Sequence, residues 1–289
     1  MRKEIEKVIA RPAKPGMVGN GFRVYHYIPG EDISQQRLSP FLLLDFNPAF
    51  DFGASEHIRG VDVHPHKGFE TVTIAYHGSV AHHDITGNSG VINPGDVQWM
   101  TAGSGILHKE YHELEFSKKG GPFEMLQLWV NLPKKYKLIP AHYQTITKEH
   151  MGKVELPGNK GVVNVIAGTF NGIQGPASTY SPLNLFDIRL KKDSELSANL
   201  SSDYNTAILV INGSIEVNGK KANEHSFVLF KNEGEEITIK AEADSVLLVL
   251  SGEPLNEPIA SFGPFVMNTE EEIVQSLEEF QSGKFGVLE

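Results

Sequence analysis

The sequence predicts an all-β protein: two tandem β-sandwich or barrel domains with a short C-terminal helix. Three observations carry that expectation. The chain has 289 residues, near twice the roughly 150 of a typical domain. Short apolar runs separated by turn residues dominate it, with few segments of helical period. A short pattern also recurs: Tyr76-His77-Gly78-Ser79-Val80 follows one strand, and Ile211-Asn212-Gly213-Ser214-Ile215 follows another, with the glycines at 78 and 213, 135 residues apart. The repeat divides the chain into a domain over residues 1–135 and a second over 136–289, with the boundary in LPKKYKLIP.

The strands follow in order. Residues 70–77 (ETVTIAYH) alternate, with Val72, Ile74 and Tyr76 on one face. Residues 125–130 (MLQLWV) form a second apolar strand. The other half supplies residues 162–168 (VVNVIAG), 184–190 (NLFDIRL), 206–211 (TAILVI), 235–241 (EEITIKA) and 245–252 (SVLLVLSG). Pro94-Gly95, Pro157-Gly158, Gly175-Pro176 and Gly263-Pro264 mark turns. Near the C-terminus Asn268 or Thr269 caps a helix, with Glu271 or Glu272 completing a capping box. Ile273, Val274, Leu277 and Phe280 give it an apolar face, and Gly283 ends it.

Composition narrows the chemistry. The chain contains no Cys, which excludes disulfides, thiolate zinc sites, cysteine nucleophiles and iron–sulfur clusters. It contains 12 His, so a metal site has to be built from imidazole and carboxylate. The formal charge of −10 lacks the basic footprint of a protein that grips nucleic acid directly. No apolar run approaches the ~20 residues of a membrane helix. The opening MRKEIEKVIARP has no apolar segment behind its basic residues, which points to the cytoplasm, or to the nucleus in a eukaryotic host.

The informative stretch runs from residue 60 to 110. His64-Pro65-His66 places two imidazoles on one face of a strand. On spacing alone, two surface histidines at a strand end are an equal reading. Pro65 suits a strand start or edge. After the turn NPGD at 93–96 and the bend TAGSG at 101–105 come His108 and Glu110, again two apart. Two such pairs on neighbouring strands would bring together three imidazoles and one carboxylate.

HxH, a nearby Glu, glycine-rich turns and a distant His together resemble the two-part signature of the cupin superfamily. The wording HPHKGFETVT followed by NPGDVQWMTAGSGILHKE resembles the pirin family closely, as do PFLLLD at 40–45, LQLWVNL at 126–132 and GPFVMNT at 263–269. The likeness runs from about residue 20 to about residue 280. Three departures from the general cupin pattern are departures that pirins share: Gly60 lies close to His64, Thr101 stands where Pro is usual, and the spacer to His108 is long.

The resemblance implies a bicupin with metal in the N-terminal barrel only. The implied ligands are His64, His66, His108 and Glu110, and the implied metal is iron (Fe2+/Fe3+). The same donor set also suits Mn, Co, Ni or Cu. No organic cofactor is implied. In other cupins a Glu at the position of Glu70 is often a ligand; here Glu70 is placed behind the ligands. His112, one strand step past Glu110, is a second candidate to support them by a hydrogen bond. At the 135-residue offset His64, His66 and Glu70 fall on Asn199, Ser201 and Asn205, and His225 is the one histidine after His150, so the second domain is expected to be metal-free.

The implied activity is quercetin (flavonol) 2,3-dioxygenase: ring cleavage by O2 to a depside and carbon monoxide. Glu110 would be the catalytic base for the flavonol 3-hydroxyl. The competing expectation is a non-catalytic, metal-dependent regulatory protein that binds a transcription factor or a metabolic enzyme. A monomer is expected. Of the remaining histidines, His82-His83 is expected as a solvated pair and His77 at the surface, with His57 flanking the motif. Phe69, Trp99 and Met100 are expected in the core.

Overall fold

The computed structural model describes residues 1–31 and 33–288. It is built from strands, with two α-helices and two short 3-10 turns among the described residues. Two compact units emerge, each with one seven-stranded and one four-stranded antiparallel sheet. The protein is an all-β bicupin.

The first unit comprises residues 13–36, 41–148 and 256–289. Its large sheet runs, in spatial order, His142–Ile146, Val97–Thr101, Phe69–His77, Gly121–Asn131, Phe41–Phe52, Phe22–Ile28 and Gly16–Val18. Its small sheet runs Gly60–His66, Ile106–His112, Val80–Asp84 and Ser89–Ile92. The second unit comprises residues 1–12, 37–40 and 149–255. Its large sheet runs Ile5–Ile9, Phe227–Phe230, Asn205–Asn212, Ser245–Gly252, Leu183–Leu190, Gly161–Ala167 and Gly152–Leu156. Its small sheet runs Glu195–Asn199, Glu236–Ala241, Ile215–Val217 and Lys220–Ala222. The two orders correspond strand for strand, so the faint repeat in the sequence reflects a complete duplication of the strand plan.

One feature of this plan departs from a single cut at 135/136. In each unit the first strand of the large sheet arrives from elsewhere in the chain. His142–Ile146 pairs with Val97–Thr101 in the first unit, and Ile5–Ile9 pairs with Phe227–Phe230 in the second. The C-terminal segment folds into the first unit, where Ile273 packs with Phe265, Met267, Leu107 and Phe285. Its helix, Glu270–Gln281, begins with Thr269, whose side chain accepts from the Glu272 amide while the Glu272 carboxylate accepts from the Thr269 amide, the expected capping box. The apolar face is narrower than the sequence implies: Ile273 is buried, whereas Val274 is 54% exposed.

The Phe69–His77 strand also differs from its pattern. It is buried on both faces from Phe69 to Tyr76, so its alternation does not separate core from solvent. It separates Thr71, Thr73 and Ala75 on one face from Val72 and Ile74 on the other.

Candidate metal centre

His64 and His66 stand at the end of the Gly60–His66 strand, the edge of the small sheet, where Pro65 costs no ladder hydrogen bond. The neighbouring Ile106–His112 strand pairs His108 with His64 and Leu107 with Pro65. A register shift between His108 and Glu110 then sets Glu110 opposite Val61. Such a bulge locally re-aims side chains.

The three imidazoles converge. Ring centroids lie 4.8 Å apart for His64 and His66, 4.4 Å for His64 and His108, and 4.9 Å for His66 and His108. One ligating atom from each lies within 4.8 Å of the others. Glu110 Oε2 is 4.0 Å from His108 Nε2. The Nδ1 of His64 donates to the Asp62 carbonyl at 2.8 Å, which leaves Nε2 with its lone pair.

The electrostatics fit a cation. Burial pushes the His64, His66 and His108 imidazoles down, strongly for the last two, so all three are neutral donors. Burial pushes the Glu110 carboxyl up to about 7, against a weak opposing hydrogen bond from Thr73. His66 Nδ1 and both nitrogens of His108 are buried without a hydrogen-bond partner among the described residues. Orphaned buried nitrogens beside a high-energy carboxylate are the condition that a divalent metal relieves.

The two supporting candidates sit elsewhere. Glu70 accepts a hydrogen bond from the Thr101 hydroxyl at 2.7 Å. His112 donates through Nε2 to the Gly21 carbonyl at 2.8 Å, and its ring packs among Phe22, Phe52, Phe116 and Phe123. No hydrogen bond from either side chain to the three imidazoles or to Glu110 is found among the described residues. The aromatic cluster, not the site, accounts for His112.

The expected solvated pair His82-His83 is corrected in its first member. His82 is buried, stacks on Tyr143 with centroids 5.2 Å apart, and is pushed down to about 4 by burial. His83 is half-buried, with Nδ1 3.2 Å from the Tyr111 hydroxyl. His77 is exposed as expected, and Phe69, Trp99 and Met100 are fully buried.

A cavity of about 460 Å3 opens beside the site, and His64, His66 and Glu110 form part of its wall. Its volume lies within the ~300–1,000 Å3 of small-molecule sites. Trp129, whose ring lies 5.4 Å from that of His66, and Met125 supply apolar wall. A polar row crosses the large sheet in register: His26 opposite Asp45, Asp45 opposite Gln127, and Gln127 opposite Thr73. The Thr73 hydroxyl is 2.8 Å from Gln127 Oε1 and 3.4 Å from Glu110 Oε1. Sequence reasoning missed this row. Its signal was present, since Asp45 and Gln127 interrupt the apolar strands FLLLDF and MLQLWV.

Three imidazoles and a carboxylate inside one barrel, with a duplicated barrel beside it in sequence, define a bicupin with a group able to hold a metal ion. The model of the pirin family matches residues 21–130, and that of the pirin C-terminal cupin domain matches residues 185–286. The chain belongs to the pirin family. A Pseudomonas aeruginosa protein named "Putative quercetin 2,3-dioxygenase" is 47% identical, over 93% of each chain. Pirin-like protein 2 of Arabidopsis thaliana is 37% identical, over 99% of this chain and 86% of its own. A crystal structure of quercetin 2,3-dioxygenase from Acinetobacter baumannii matches with a TM-score of 0.95 at 42% identity, covering 100% of both chains. Among the described residues no helix is long and apolar enough to cross a membrane.

Proposed function

We propose that this pirin is an iron-dependent quercetin (flavonol) 2,3-dioxygenase, with His64, His66, His108 and Glu110 as the metal ligands. The observation that carries the reading is the opening of three of these donors, His64, His66 and Glu110, onto an apolar cavity, in a chain 42% identical to a quercetin 2,3-dioxygenase of known structure. The bound iron would supply a Lewis-acidic site for an enolic oxygen and a place for O2 beside it.

The chain's own residues account for the rest. His64 presents Nε2 because its Nδ1 is tied to Asp62. Trp129 and Met125 offer flat apolar wall to an aromatic ligand and exclude water from it. Glu110 is the base for the flavonol 3-hydroxyl: burial raises its proton affinity, and Thr73 lies within reach of its other oxygen. Cleavage yields the depside and carbon monoxide.

The test is oxygen uptake and carbon monoxide release on a flavonol panel, with protein reconstituted anaerobically with Fe2+, and in parallel with Mn, Co, Ni or Cu. We expect turnover with iron that Glu110→Gln lowers at saturating metal. A protein that holds one metal ion and consumes no oxygen with any flavonol would overturn the reading.

A further inference from the structure

His26 and Asp45 form a dyad that the metal site does not use. They face each other across adjacent strands of the large sheet, with Nδ1 and Oδ1 2.6 Å apart. The Asp45 side chain is 8% exposed and that of His26 is 50% exposed. Both line the cavity that His64, His66 and Glu110 also line, but from the large sheet, whereas those three stand on the small one.

The dyad has directional chemistry. With Nδ1–H donated to the Asp45 carboxylate, the lone pair falls on Nε2. Half of the His26 side chain is exposed, and it lines the cavity. Its Nε2 end packs close to Gly16, where a Cβ would come within 2.8 Å, so only glycine lets the imidazole lie in this position undisturbed. The bond to Asp45 also raises the imidazole's affinity for a proton, which strengthens it as an acceptor. Much of the remaining wall is apolar. An aromatic ligand anchored at the metal-binding group would find its hydrogen-bonding partner on the opposite sheet at this dyad.

We infer that His26, oriented by Asp45, receives a ring hydroxyl of the ligand remote from the metal-binding group, and so selects polyhydroxylated aromatic ligands over those with one enolic hydroxyl. The inference rests on the flavonol reading above. It involves a hydrogen bond only, from phenol O–H to imidazole Nε2. His26 is therefore a positioning and selectivity residue.

The experiment is anaerobic binding to the full chain, with and without Fe2+, read by quenching of tryptophan fluorescence and by the ligand's absorption band. The ligands are 3-hydroxyflavone, whose hydroxyl is the enolic one, and quercetin, which carries further ring hydroxyls. His26→Ala should weaken quercetin about five- to ten-fold, the effect of one lost hydrogen bond, and leave 3-hydroxyflavone within about two-fold. His26→Gln should restore part of the loss, since its amide oxygen accepts. Unchanged quercetin affinity in His26→Ala, or equal weakening of both ligands, overturns the inference while the flavonol reading stands. Binding of neither flavonol by the wild type is a distinct result, and overturns both.

Discussion

In the second barrel the space between the sheets is filled by Phe186, Phe230, Val210, Ile188, Ile237 and Ile239, all at most 1% exposed and all in one apolar cluster. In the first barrel, with the same strand order, the corresponding interior carries His66, His108, Glu110, Thr73 and Gln127, and a cavity of about 460 Å3. The strand plan is therefore indifferent to what faces inward. One copy uses its interior for cohesion, and the other gives up cohesion to hold donors that need a partner. Buried nitrogens without partners would be costly in a barrel that worked only as a scaffold.

The sharpest way to break this contrast is to count metal ions. One transition-metal ion per chain is expected after anaerobic loading and dialysis, measured by elemental analysis. His66→Ala combined with His108→Ala should weaken binding by at least about a hundred-fold, since it removes two of the four proposed ligands where losing a mere supporting contact already costs about 10–100-fold. Among the described residues the second barrel holds no comparable group of donors. Asn205 is engaged by Arg37, Asn232 and the Ser39 carbonyl, and Asn199 is exposed. Two ions per chain, or full retention by the double variant, would show that the barrels are not divided in this way.

How much of this was legible in the residues follows from the range of the interactions. HPH and HKE are local patterns. Their i, i+2 spacing fixes the face of each pair, and register with a neighbouring strand does the rest. The repeat at 78 and 213 was legible because a tight glycine turn is a local requirement: Gly78 and Gly213 both have positive φ. What escaped was non-local. The swap of first strands, Ile5–Ile9 into one unit and His142–Ile146 into the other, depends on pairing partners more than 40 residues away. His112 and His82 escaped because nothing in a sequence says whether a buried histidine faces phenyl rings or ligands. The dyad of His26 and Asp45 escaped because the two lie 19 residues apart on different strands, and only the register joins them.

A smaller effect sharpens the comparison from the other side. Phe186→Ala in the second barrel should cost about 3–5 kcal/mol in urea unfolding of the full chain, because its neighbours, Phe170 among them, cannot close the space. Gln127→Leu in the first barrel should change stability by less than about 1.5 kcal/mol, since an apolar group of similar size replaces an amide at the cavity wall. That variant should instead impair flavonol binding. Equal costs for the two substitutions would mean that both interiors are packed alike.

The smallest effect concerns one buried carboxylate of the first barrel. Burial pushes Glu110 up to about 7, above the roughly 4.3 of an unfolded chain. The folded state therefore holds its proton more tightly. The stability this contributes is fully present below about pH 4 and is lost as pH rises through 7. In protein kept metal-free by chelator, Glu110→Gln should remove that loss. It should match the wild type near pH 4 and exceed it by about 3 kcal/mol at pH 8, read as the difference between two urea midpoint curves. Glu70, also raised to about 7 by burial, is present in both proteins and cancels in the difference. So do the depressed imidazoles of His64, His66 and His108, whose contribution runs the other way, growing as pH rises through about 6.5. If Glu110 is a ligand as proposed, metal should reverse the preference: with iron bound the wild type should be the more stable protein at pH 8. No gain in Glu110→Gln at pH 8 in the metal-free protein would show that this carboxylate is not held there at a cost.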